Sequence, residues 1–340
     1  MEKTPVHAVV LAAGKGTRMK SEKAKVLHEI FFRPMIHYVM DALVPLDLAE
    51  AVVVVGHQRE EVQAALALFK PTFVVQEQQL GTGHAVLAAE KVLAGREGVV
   101  FILCGDTPLV QPETLRNMLA RHQESGALLT VMTTVVDDPT NYGRIISSPD
   151  GSLLRIIEEP DADPEQKAIR EINAGIYCVD NDFLFEALGK IGTDNKQGER
   201  YLTDIVKIAN LTGLQVNRFA CVDSQEILGV NSRVELAEAH AVVQGRRNRE
   251  LMLAGVTMYH PETISIEAGV SIAPDTVIFP NTLIRGRTEV GRYTRIGPFC
   301  LISDCLIGAG VTIGAYSHLS GGQIQDDCRI KPHTARFLSE

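Results

Sequence analysis

The chain predicts an α/β fold in two parts. A Rossmann-like, mostly parallel, doubly wound sheet comes first, and a short left-handed parallel β-helix of hexapeptide repeats follows. Two observations carry this expectation. Up to about residue 225, short apolar runs alternate with amphipathic stretches, the pattern of β-α-β units. From Ile266 onward an aliphatic residue recurs every sixth position, a period that a β-sandwich has no reason to hold. A third segment separates them: residues 232–254 lack proline, hold one interior glycine and favour helix throughout. The expected divisions are therefore residues 1–229, a helical linker arm at 230–255, and a β-helix at 256–340.

In order, strands are expected at Val6–Ala12, Ala51–Val55, Thr72–Val75 and Val99–Leu103. The last is a continuous apolar run, as suits a strand covered on both faces. Helices are expected over Met35–Leu43, Glu60–Phe69 and His84–Leu93, and from Pro112, a good first helical residue, through His122. In the arm, Ser232 is a candidate N-cap with Glu235 three residues on, the spacing of a capping box. The aliphatics Ile266, Ile272, Ile278, Ile284, Val290, Ile296 and Ile302 keep strict period six. The phase then slips by one to Ile307, Ile313 and Leu319, and again to Ile324 and Ile330. Gly269, Pro274, Asp275, Pro280, Asn281, Gly291, Gly297 and Gly308 fall between them and are expected to make the turns. The last eleven residues lose the pattern and read as a capping tail.

Composition narrows the function classes. At 340 residues with 45% hydrophobic content, the chain can build two real cores. A net charge of −9 argues against a general nucleic-acid binder. The six cysteines show no C-x-x-C and no zinc spacing, and read as reduced thiols of a cytoplasmic protein. No signal-peptide core is visible, and the apolar runs are far too short to cross a membrane.

Against that acidic background, the loop after the first strand is strongly basic, with Lys15, Arg18, Lys20, Lys23 and Lys25. Gly14 and Gly16 are expected to take positive φ and turn backbone N–H groups toward a ligand. A G-x-G is equally consistent with a plain tight turn. The loop is neither a Walker A motif nor a dinucleotide fingerprint, because Met19 stands where a third glycine belongs. Such charge beside bare amides points to a polyphosphate.

These residues sit in a wider ordered set: LAAGKGTRM, Lys25 in KAKVLHE, QEQQLGTGHA (76–85), GDTPL (105–109), DDPTNYGRI (137–145), EINAGIY (171–177), QGERYLTDI (197–205) and GVNSR (229–233). In this order the chain closely resembles the bacterial family of bifunctional N-acetylglucosamine-1-phosphate uridylyltransferase/glucosamine-1-phosphate acetyltransferases. The resemblance implies a nucleotidyltransferase that joins UTP and N-acetylglucosamine-1-phosphate into UDP-N-acetylglucosamine, a cell-wall precursor, releasing pyrophosphate. It implies that Arg18 and Lys25 stabilise charge on the β- and γ-phosphates, and that Leu11, Ala12, Ala13 and Gly14 approach the nucleotide through their backbone. It assigns Gln76, Gly81 and Thr82 to the uracil. Asp106, preceded by Gly105 in the substrate-binding motif, would hold Mg²⁺ together with Asn231. Hard oxygen donors in a sparse protein shell suit that ion. Gly143, Glu158 and Asn173 would contact the N-acetyl sugar.

Plainer readings stand beside these. Asp106 also fits a turn, Asn231 a helix cap, and Glu158 with Glu159 a pair of exposed loop carboxylates. Cys104 stands where the family often carries an aromatic residue, and Ala174 where Thr or Ser is common. The family's acetyltransferase site lies in later coils, so that activity is expected to be absent. His318 and His333 are expected to be surface turn residues. A homotrimer through region 262–333 is implied by the resemblance. The rival readings are a nucleotidyltransferase for another sugar-1-phosphate and a hexapeptide acyltransferase.

Overall fold

The structure, a computed structural model, describes residues 4–337. It divides into two units: residues up to Glu29 together with Arg33–Leu236, and Ile30–Phe32 together with the chain from Ala237 onward.

From the start of the chain, β1 (Val6–Ala12) is followed by the short ribbon β2 (Glu29–Ile30), whose second residue counts with the second unit, and β3 (Arg33–Pro34). Then come α1 (Met35–Leu43), β4 (Glu50–Val55), α2 (Arg59–Ala65), β5 (Thr72–Val75), α3 (Thr82–Leu87), α4 (Glu90–Leu93), β6 (Val99–Cys104) and α5 (Pro112–Ser125). The second half holds β7 (Leu129–Val135), β8 (Arg144–Ser147), β9 (Leu153–Ile157), α6 (Pro164–Lys167), β10 (Glu171–Asp180), α7 (Asn181–Lys190), α8 (Asp204–Leu211) and β11 (Val216–Ala220). The sheet runs β11-β7-β10-β6-β1-β4-β5, with the β8–β9 hairpin joined to β10. The strands β6, β1, β4 and β5 are parallel, whereas β10 runs antiparallel between β6 and β7.

Register decides what meets at the strand ends. Leu11 pairs with Cys104, Ala12 with Val55, and Val55 with Val75. The loop after β1, Gln76 after β5 and Asp106 after β6 therefore leave the sheet from one edge, the carboxyl edge where open α/β sheets bind ligands.

Helix ends differ from the sequence expectation for local reasons. The stretch expected as Glu60–Phe69 ends at Ala65, where Leu66 leaves the helical region, and Lys70 takes φ 50° before Pro71. The stretch expected as His84–Leu93 begins at Thr82 and breaks into two short helices. The helix after Pro112 continues to Ser125 and stops at Gly126, φ 66°, a left-handed C-terminal glycine.

The helix α9 (Arg233–Leu253) starts in the first unit and runs into the second. After it, short strands wind into a three-sided parallel β-helix. One side stacks strands beginning at Thr257, Val277, Arg295, Thr312 and Arg329; the second, at Ser265, Leu283, Leu301, His318 and Ala335; the third, at Ser271, Glu289, Leu306 and Gln323. Register matches Ile266 to Ile284, Ile302 and Leu319, and Ile278 to Ile296, Ile313 and Ile330. The observed step from coil to coil is thus 18 residues and then 17, so each phase slip in the sequence is a coil one residue shorter. Burying one aliphatic on each strand before the last rung gives this unit a continuous core.

The turns follow partly different chemistry from that expected. Asp275 and Asn281 do take positive φ, at 64° and 59°. Gly291, Gly297 and Gly308 do not, and a Cβ on any of them would lie within 2.3–2.8 Å of the next coil. Their role is close coil-to-coil approach. Left-handed corners fall instead on Tyr293, Phe299, Tyr316 and His333. Three of these stack in register, Phe299 on Tyr316 with ring centroids 4.9 Å apart and Tyr316 on His333 at 5.0 Å. That stacking offsets the strain of bulky residues in this region. His333 is therefore a turn residue, but His318 is not. It lies in a strand, its ring edge-on to Phe337. The expected capping tail is also corrected. Ala335–Phe337 pairs with His318–Ser320 as a further rung, with Arg336 standing in register with Leu319. Its polar side chain erased the hexapeptide pattern without ending the ladder. Residues 338–340 of that expected tail lie outside the described residues.

Candidate active site

The basic loop is shaped by one glycine, not two. Gly16 takes φ 60°, and a Cβ there would stand 2.6 Å from Lys25 Cβ, so only glycine lets the loop pack on Lys25. Gly14 is not in the left-handed region and faces open space, contrary to the expectation for it. The next turn, Lys25–Leu27, aims the Lys25 ammonium at β6. There it makes an ion pair with the Asp106 carboxylate and donates to Asn231 Oδ1 at 2.9 Å.

Asp106 and Asn231 are thus brought together although 125 positions separate them in sequence. The Val230 N–H donates to the Asp106 carbonyl at 2.8 Å, which holds the GVNSR loop against the end of β6. Ser232 Oγ accepts from the Glu235 N–H at 3.3 Å, as a cap should. The Glu235 carboxylate departs from the capping-box expectation, because it reaches one residue further back and accepts from the Asn231 N–H at 2.7 Å. The same carboxylate that begins α9 therefore positions Asn231. Gly105 makes this corner possible, since its N–H donates to Leu11 O at 2.9 Å in a gap that a Cβ would crowd.

Leu11, Ala12, Ala13, Gly14, Lys25, Gln76, Gly81, Thr82 and Asp106 line one cleft of about 260 Å³. The segment 76–85 is locked to residues 199–202. A Cβ on Gly81 would lie 2.5 Å from the Arg200 carbonyl oxygen, and Gly81 has φ 107°. The Gly83 N–H donates to that same oxygen at 2.8 Å, and Thr82 Oγ1 accepts from the Leu202 N–H at 3.0 Å. Gln76 is buried, and its Nε2 donates to Gly81 O at 3.2 Å and lies 3.1 Å from His84 Nδ1, which fixes the amide plane.

Gly143, Glu158 and Asn173 also converge. A Cβ on Gly143 would lie 2.8 Å from Ile156 Cγ2, 3.5 Å from Glu158 Oε2 and 3.6 Å from Asn173 Cβ. Asn173 is held from both ends, donating to the Tyr177 hydroxyl at 2.7 Å and accepting from the Gly175 N–H at 3.0 Å. The two neighbouring carboxylates are half-buried and do different work. Glu159 pairs with the fully buried Arg144. Glu158 accepts from Thr203 Oγ1 at 3.0 Å, and burial pushes its carboxyl above the usual range. Arg18 lies on an exposed turn outside the cleft lining, and its charge acts on Tyr142.

Several residues of this region went unread in the sequence. Gln79 Nε2 donates to Ala13 O at 2.6 Å and ties the basic loop to the 76–85 segment. Glu199 lines the same cleft. Tyr142 is half-buried beside Gly229, and that burial raises its phenol. Their motifs were visible, but nothing in a motif says which member turns inward. Cys104 also lines the cleft, and burial, helped by Asp106, pushes its thiol up to about 12, which makes it packing and no nucleophile.

The donor set fits a hard divalent cation. One carboxylate and one amide oxygen point at a single position, now held by the Lys25 ammonium. Among the described residues no group of three or more His, Cys, Asp or Glu side chains could hold a metal ion. An ion at Asp106 and Asn231 would therefore complete its shell with water and phosphate oxygens, the habit of Mg²⁺.

Sheet order, a basic loop after the first strand and an acidic residue after β6 together define a nucleoside-triphosphate transferase domain. The family model for the MobA-like NTP transferase domain matches residues 8–171. A crystal structure of a Bacillus anthracis protein, assigned as a glucose-1-phosphate thymidylyltransferase, overlaps with a TM-score of 0.57 at 20% identity. That overlap covers 70% of this chain and 94% of the other, and shows the shared fold. Among relatives called bifunctional protein GlmU, that of Desulfotalea psychrophila is 48% identical over 97% of each chain. That of Geobacter metallireducens is 49% identical over 79% of this chain and 57% of its own. That of Heliobacterium modesticaldum is 47% identical over 96% of this chain and 70% of its own. The chain belongs to the GlmU family.

Proposed function

We propose that the chain transfers the uridylyl group of UTP to N-acetylglucosamine-1-phosphate, giving UDP-N-acetylglucosamine and pyrophosphate. The observation that carries this reading is the convergence of one cleft from the basic loop, the 76–85 segment and Asp106, with the Gly143–Glu158–Asn173 group nearby. In this reading a sugar-phosphate oxygen attacks the α-phosphorus, in line with departing pyrophosphate. Positioning and charge neutralisation do most of the work in such a step. Lys25, at the cleft lining, offsets charge growing on the leaving phosphates, and Arg18 adds positive charge from the exposed turn of the same loop. Gln76 presents a pre-oriented amide to the base, and Asn173 with Glu158 presents polar edges to the N-acetyl group.

Asp106 and Asn231 would hold Mg²⁺, which when bound supplies Lewis-acid neutralisation of the phosphates. Purified protein should release pyrophosphate from UTP and N-acetylglucosamine-1-phosphate. Asp106→Ala should lower kcat by at least about a hundredfold. Full turnover in that variant, or preference for another nucleotide and sugar phosphate, would sink the assignment. The same reading carries a homotrimer built through region 262–333 and a place in the cytoplasm. Among the described residues no helix is long and apolar enough to cross a membrane.

A further inference from the structure

We propose that Lys25 is the resident cation of the Asp106–Asn231 pair and must leave it before a divalent ion can bind there. The proposal rests on the reading in which those two residues hold that ion. Lys25 Nζ contacts both oxygens at once, paired with the Asp106 carboxylate and 2.9 Å from Asn231 Oδ1. The partners are largely shielded, with side-chain exposures of 14% for Lys25 and 17% for Asp106. A shielded carboxylate left without a cation is costly, so the ammonium keeps the metal-free site neutral and folded.

An ammonium and a divalent ion cannot share those two oxygens, because like charges at contact distance repel strongly at a shielded site. The two cations therefore exchange. The Lys25 stem lies against Gly16, which leaves it room there only because it carries no Cβ, so the exchange needs only the end of the side chain to turn away from the two oxygens. The displaced ammonium stays at the cleft lining, beside Leu11–Gly14, where a polyphosphate would meet it. Exchange makes metal and polyphosphate mutually dependent: each gives one of the two cations a partner, so each tightens the other.

Two measurements test this, neither of which reads turnover. The first is Mn²⁺ binding to nucleotide-free protein, followed by the electron paramagnetic resonance of free Mn²⁺. Lys25→Met should bind Mn²⁺ about tenfold or more tightly than the parent protein. Equal affinities, including no binding in either protein, or weaker binding in the variant, overturn the exchange. The second uses the parent protein alone and decides the matter if Lys25→Met fails to fold. Reductive methylation of Lys25, read by peptide mass spectrometry, should become severalfold faster at saturating Mn²⁺. An unchanged rate overturns the proposal. Asp106→Ala separates this failure from failure of the underlying reading. If it binds Mn²⁺ as well as the parent does, with UTP present, Asp106 is no ligand and the metal assignment itself falls.

Discussion

A methyl group on residue 81 would press against the Arg200 carbonyl at 2.5 Å while the backbone is held at φ 107°. Both penalties fall on one position, so Gly81→Ala should destabilise the first unit by about 1–3 kcal/mol in urea unfolding. It should also raise KM for the nucleotide, because Thr82 and Gln76 hang on the same turn. Glu158 makes a second prediction at this scale. Burial raises its carboxyl above the unfolded value, so the folded state binds its proton more tightly. Stability from this group is present at acid pH and is lost as pH rises from the unfolded value through the raised one. Glu158→Gln should therefore raise Tm relative to the parent at pH 8, with the gain vanishing near pH 4. A gain that grows toward acid would contradict this sign. Cys104, Gln79 and Glu199 show the limit of residue-level reading. Each shares the cleft through the register of two strands or a loop crossing, and no local pattern announces it.

At the scale of elements, the start of α9 is where cap chemistry and site chemistry coincide. Ser232→Ala should cost about 1 kcal/mol of stability through loss of the cap. Glu235→Ala should do more to the site than to the fold. Without its carboxylate the Asn231 N–H has no acceptor, so the Mg²⁺ concentration for half-maximal activity should rise severalfold while Tm changes little. The parallel strands and α1 were legible because their apolar period is strong and each is bounded by turn residues. The stretch from 129 to 220 was not. In β7, LTVMTTV places buried threonines among apolar residues, and β10 slips register between Asn173 and Tyr177. Polar residues buried by tertiary pairing blur a period that depends on polarity. The antiparallel entry of β10 left no trace in the sequence at all, because direction is a property of pairing.

Across the whole molecule, two cores formed by different repeats predict separable behaviour. Ile296 is fully buried between Ile278 and Ile313, so Ile296→Ala should cost about 2–5 kcal/mol in the β-helix. Calorimetry should show that loss in the transition assigned to the second unit, with UTP binding by the first unit nearly unchanged. A proportional loss of UTP binding would show that the two units unfold as one. The proposed homotrimer makes a prediction of its own. Light scattering should give a mass near three times 37.1 kDa, and a mass near 37.1 kDa would rule it out.

By itself the sequence determined the two architectures, the strand ends that carry the basic loop and Asp106, and the lengths of the β-helix coils. Each depends on periodicity or on chain neighbours, and both are written along the chain. Only the tertiary structure decided that Lys25 sits on Asp106 and Asn231, that Glu235 holds Asn231 in place, and that Glu158 meets the Thr203 hydroxyl while Glu159 is paired with Arg144. Those are meetings of side chains far apart in sequence. Their geometry comes from strand register and loop closure, which no local pattern records.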